Sequence, residues 1–157
     1  MKSLLAAMLP LYSILAAHPA YAATAKEGPR ATQEVVIPGI IDFGKEGSKD
    51  VVTAPSTVAV GEDFKITITT FGGGCEREGT SSTIITATGA SIMVYDITSA
   101  IHPGVICTAV IKRMPHTLTL RFEKPGQALI RIWGRRVGAE TPPLGLPVVL
   151  EHPVTIK

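Results

Sequence analysis

A chain of 157 residues that is 45% hydrophobic carries enough apolar content for a core of its own, which excludes an intrinsically disordered chain and predicts a single domain. Its formal charge of +2 is spread along the sequence without a Lys/Arg block, so no electrostatic footprint for nucleic acid is present.

Residues 1–22 read as a signal peptide. Lys2 is a minimal positive start, Leu4 to Ala17 an apolar run, and Ala20-Tyr21-Ala22 a small-x-small cleavage site. The run is short for a membrane span and contains Pro10, and no cysteine near the cleavage site could take a lipid, so no membrane anchor is expected after leader removal. The predicted location is secreted or periplasmic. Cleavage would remove one lysine and no acid, taking the net charge from +2 to +1. Residues 23–34 are small and polar with Gly and Pro, a flexible lead-in. The domain should span 35–157.

Val35 to Phe43 is an apolar cluster broken by Pro38-Gly39, which predicts a kinked edge strand. A charged connector over 44–50 leads to VVTAPSTVAV, a strand in which Pro55 marks an edge or a switch between sheets. In Phe64 to Thr70, Phe64, Ile66, Ile68 and Thr70 alternate with Lys65, Thr67 and Thr69, the period of a strand with one buried face. Three glycines and Cys75 follow. The polar segment 76–82 reads as a connector, and Gly89-Ala90 as the break between β-branched runs at Thr83 to Thr88 and Ile92 to Ile97. Thr98 to Val105 lacks periodicity and reads as a loop. Leu118, Leu120 and Phe122 then alternate with Thr117, Thr119 and Arg121. Beyond Pro125-Gly126, Ala128, Ile130 and Ile132 alternate with Leu129, Arg131 and Trp133, which predicts a hairpin of these two strands. A proline-rich loop over 140–147 precedes a last strand from Val148 to Ile156, interrupted by Pro153. Short strands with Gly/Pro punctuation and no helical period predict an all-β antiparallel sandwich. Two cysteines in an exported chain predict one disulfide, Cys75 to Cys107.

The succession Pro55-x-x-Val58-x-Val60-Gly61-x-x-Phe64, Gly72-Gly73-Gly74-Cys75 and Phe122-x-x-Pro125-Gly126-x-Ala128-x-Ile130-Arg131 resembles bacterial secreted immunoglobulin-like domains over Val51 to Lys157. That resemblance implies an immunoglobulin-like β-sandwich and a binding or supporting role toward an envelope or extracellular macromolecule. Leu120 to Arg136 is also similar to the late strands of chagasin-like cysteine-protease inhibitors, which implies an inhibitor as an alternative; their Asn-Pro-Thr-Thr-Gly loop has no counterpart after Ile68, where the chain reads TTFGGGC.

No nucleophile, metalloprotease or paired-acid motif is present, so the chain is expected to be non-enzymatic and to need no cofactor. Gly72 to Gly74 lacks the following helix that a phosphate-cradling loop needs. Cys107, Met114 and His116 are soft-ligand types that make a metal-binding, cupredoxin-like protein a further alternative, although their order differs from that family's and a disulfide is the expected use of Cys107. His18, His102, His116 and His152 show no zinc-ligand spacing. The remaining candidate is a binding face of Arg121, Arg131, Trp133 and Arg135, placed outward by the parity of the late strands and suited to an acidic protein or polysaccharide partner.

Overall fold

The structure is a computed structural model that describes residues 34–43, 50–99, 106–138, 141–142 and 145–157. The expected leader, residues 23–33 of the lead-in, most of the 44–50 connector, most of the 98–105 loop, and His18 and His102 lie outside these residues. Among the described residues the chain is all-β: β1 (Val35–Pro38), β2 (Ile40–Asp42), β3 (Val52–Thr53), β4 (Thr57–Val58), β5 (Phe64–Gly72), β6 (Glu76–Thr86), β7 (Gly89–Thr98), β8 (Lys112–Leu120), β9 (Gly126–Arg136) and β10 (Leu146–Ile156).

The strands form one mixed sheet with two arms. In the first, β7 pairs antiparallel with β6 along its length, while its other edge meets β1 from Tyr95 to Thr98 and β9, in parallel, from Gly89 to Met93. The far edge of β9 carries β10 in unbroken antiparallel register from Gly126↔Ile156 to Arg136↔Leu146, and the end of β10 takes β4 in parallel. In the second arm, β5 lies between β8 and the short strands β2 and β3. β2 joins the arms, because Ile40 pairs with both Phe71 of β5 and Arg135 of β9.

The period-two expectations hold where a strand has one face in the core. Phe64, Ile66, Ile68 and Thr70 are buried, as are Leu120, Phe122, Ala128, Ile130 and Ile132, while Thr117, Thr119, Arg121, Arg131 and Trp133 are exposed. Both arms turn these apolar faces into one contiguous cluster, to which β7 adds Ile92 and Val94 and β10 adds Val154 and Ile156. Each fully buried Ile or Val contributes about 1.5–3 kcal/mol relative to exposure, so this shared cluster is the main force holding the arms together.

Several expectations are corrected. The late strands are not a hairpin: β8 pairs with β5, whereas β9 pairs with β10, β7 and β2. Alternation assigned the buried faces properly, but both faces enter the same cluster from different arms, and residues 121–125 carry the chain across. Segment 76–82 is not a connector but the first half of β6, a mostly exposed edge strand held by backbone pairing to β7, with a register shift between Glu78 and Ser81. Neither of its faces enters the core, so no apolar period announced it. The turn into β7 falls at Ala87-Thr88, and Gly89 is already in the ladder opposite Thr86. β8 begins before Pro115, and β10 contains both Pro147 and Pro153. Each of these strands has an open side for most of its length, where a missing N–H costs no ladder bond.

The kink at Pro38-Gly39 is a joint between arms rather than a bend in an edge strand. Gly39 accepts from the Arg135 N–H at 2.8 Å and donates to the Val94 carbonyl at 2.9 Å. A Cβ on Gly39 would stand 2.5 Å from Thr70 Cγ2, and one on Gly134 would stand 2.7 Å from the Gly39 carbonyl, so only glycine lets the two backbones meet here. The Pro55 reading as a switch agrees with the pairing of β3 with β5 and of β4 with β10. Cys75 and Cys107 form a disulfide that ties the start of β6 to the stretch before β8.

Candidate binding site around Trp133

Two groups of polar side chains among the described residues are candidate sites, one buried and one at the surface, apart from ion pairs such as buried Asp42 with Arg136 at 2.6 Å. The buried one is Thr70, Asp96 and His116, each at a position of inward parity on β5, β7 and β8 and none more than 4% exposed. The Thr70 hydroxyl donates to Asp96 Oδ1 at 3.0 Å, and His116 Nε2 stands 3.0 Å from both Thr70 Oγ1 and Asp96 Oδ1. A nucleophilic relay needs the acid on one ring nitrogen and the hydroxyl on the other. Here both contacts use Nε2, and no member reaches solvent, so the cluster is a hydrogen-bonded tie between the arms. Its signal in the sequence was three polar residues at inward positions of apolar strands.

His116 is therefore a core residue, Met114 is buried beside it on the same face, and Cys107 Sγ is bonded to Cys75. These three expected soft-ligand types do not form a common site. Among the described residues no three His, Cys, Asp or Glu side chains converge as metal ligands would. Gly73 N–H is capped by Glu76 Oε2 and Gly74 N–H by the Thr108 carbonyl, so the triple glycine closes on its own chain. Near it, Ile106, Val110 and Ile111 are strongly exposed.

The surface group centres on Trp133. β9 presents Leu129, Arg131, Trp133 and Arg135 on the face away from the core, with β7 on one side and β10 on the other. Trp133 is 39% exposed, and its indole N–H donates to Ser91 Oγ of β7 at 2.9 Å, which fixes the ring between two depressions. One, of about 300 Å³, is lined by Thr86, Thr88, Gly89, Ala90, Ser91, Leu129, Arg131 and Trp133. The other, of about 260 Å³, is lined by Pro38, Met93, Trp133, Gly134, Arg135, Gly145 and Pro147 and is apolar in character.

The four residues expected to form one basic face are not equivalent. Arg121 lies on the other arm, where its Nε donates to Glu123 Oε1 at 2.6 Å; that hydrogen bond, with the Glu123 charge, raises its pKa above the usual arginine value. Arg131 donates to Glu151 Oε1 of β10 at 3.0 Å, with both side chains about half exposed. Arg135 is half-buried and donates through Nε to the Pro38 carbonyl at 2.6 Å. Burial pulls its pKa below the ordinary arginine value, while Glu76 and Asp96 act in the opposite sense. It remains a cation at physiological pH. The grouped part of the site is thus Trp133 with Arg131 and Arg135, and Glu151 and Ser91 are the members that parity along one strand could not supply, since cross-strand register decides them.

Comparison with known proteins finds no matching family model, no matching curated protein and no matching solved structure.

Proposed function

We propose that the chain is an exported, non-enzymatic, immunoglobulin-like β-sandwich module that binds or supports an envelope or extracellular macromolecule through the β7–β9–β10 face around Trp133. The observation that carries this reading is the placement of the only tryptophan of the chain at the surface, held by Ser91 between two depressions. A fixed aromatic supplies a large contact area at little conformational cost, which is why such residues dominate binding energetics at interfaces. The disulfide and the two apolar faces meeting in one cluster support the export and sandwich parts of the reading.

The test is capture of the native partner from the source envelope by purified protein and by Trp133→Ala. Loss of a cross-linkable partner in the variant, with an unchanged circular dichroism spectrum and a melting temperature within a few degrees of the parent, supports the face. Retained capture by the variant removes it. A large drop in melting temperature would assign Trp133 to stability rather than recognition.

A further inference from the structure

The groups beside Trp133 select among ligand chemistries. The indole N–H is already donated to Ser91, so what the ring offers outward is its apolar face. Ser91, accepting that bond, keeps its own hydroxyl proton to donate. Thr88 adds a second hydroxyl in the same depression. Arg131 and Glu151 then stand side by side with only one of the guanidinium N–H donors committed, at Nε, and one carboxylate oxygen engaged. The pair therefore presents donors and an acceptor next to each other at the rim of an aromatic surface.

The Arg131–Glu151 pair has no net charge to offer, and Arg135, the other cation of the face, lines the depression on the far side of Trp133 with its Nε donated to the Pro38 carbonyl. An anion approaching Arg131 meets Glu151, and a cation approaching Glu151 meets Arg131, so a charged ligand gains on one side what it loses on the other. A hydroxyl group, being both donor and acceptor, can use both members at once. Vicinal hydroxyls on a ring whose C–H face is apolar match the whole set, with the ring laid on the indole and the hydroxyl edge turned to Thr88, Ser91, Arg131 and Glu151. A depression of about 300 Å³ is at the small end of ligand sites and suits one or two sugar units of a longer chain.

We infer that the Trp133 face binds a neutral oligosaccharide chain, with Trp133 as the stacking surface and Thr88, Ser91 and the Arg131–Glu151 pair as the hydrogen-bonding wall. This rests on the binding role proposed above and narrows it to the depression beside Arg131, where an acidic ligand would gain little because Glu151 already matches that guanidinium. A shallow, open site leaves little surplus over the cost of association, so binding of a short chain is weak.

Trp133 is the only tryptophan, so its fluorescence reports on this site and no other. The full chain is titrated with cellohexaose, chitohexaose and maltohexaose, and in parallel with hexagalacturonate and a proline-rich decapeptide. The expected result is a saturable change in Trp133 emission with at least one neutral hexasaccharide, little affected by salt, and weakened about fivefold to tenfold in Glu151→Gln and in Thr88→Val. Both substituted positions are exposed, so these variants keep the fold and the fluorophore. A response confined to hexagalacturonate or to the peptide overturns the neutral-glycan assignment while leaving Trp133 as a binding face. A neutral-sugar response that both variants leave unchanged overturns the proposed wall, and silence with every probe overturns the glycan class. The site itself falls only if Trp133→Ala also retains the native partner.

Discussion

Replacing both Cys75 and Cys107 by alanine opens a loop closed across a sequence separation of 32 residues. On the loop-entropy relation, closing a loop of that length removes about 12 cal/mol/K from the unfolded chain, or about 4 kcal/mol at room temperature. For a domain whose total stability is about 5–15 kcal/mol this is a large fraction, and it should lower the melting temperature by about 10–20 °C. Among the described residues, the Gly74 N–H to the Thr108 carbonyl at 3.1 Å is the backbone bond that holds residues 106–111 to the start of β6. Most of the effect should therefore arise in the unfolded state. Urea unfolding of the oxidised protein and of the double alanine variant, followed by far-ultraviolet circular dichroism, tests this. The variant should show a lower midpoint and a steeper dependence on urea, because an uncrosslinked unfolded chain exposes more surface. A loss below about 1 kcal/mol with an unchanged slope would refute the entropic argument.

Two further substitutions probe the joint between the arms, and a third tests an unpartnered imidazole nitrogen in β10. Gly39→Ala pushes a methyl against Thr70 and Asp96 and should cost about 1–3 kcal/mol in urea unfolding; a neutral result would mean that β1 and β2 can lift off the cluster freely. Thr70→Val keeps the shape but removes the hydroxyl that donates to Asp96, and should cost about 2 kcal/mol by leaving buried polar atoms short of a partner, whereas a gain in stability would show the tie to be dispensable. His152→Leu should act oppositely. His152 Nε2 is buried without a hydrogen-bond partner, so an apolar side chain of similar size should raise stability by about 1 kcal/mol, and a loss would mean that the imidazole makes a contact the folded geometry does not reveal.

Local physics made part of this protein legible in its amino-acid order. Period-two alternation picked out the core-facing positions from Phe64 to Thr70 and in β8 and β9, because successive side chains of a strand point to opposite faces whatever its partner is, while Phe71 is buried out of that period and Leu118 only partly. The cysteine count pointed to the bridge, and Trp133 was already placed outward on β9. Partnership was not legible. The pairing of β8 with β5 rather than β9 depends on how two apolar faces share one cluster, which alternation within each strand leaves open. β6 escaped notice because backbone bonds to β7, not burial, keep it extended. The same holds for the site. Sequence placed Arg131 and Trp133 on one face, but only the register of β10 and β7 against β9 brings Glu151 to Arg131 and Ser91 to the indole, so that one of the two arginines of an apparently basic patch is matched by an acid. Arg121 was drawn into that patch by an assumed hairpin, and the folded chain carries it to the other arm because residues 121–125 cross between the arms instead of turning back.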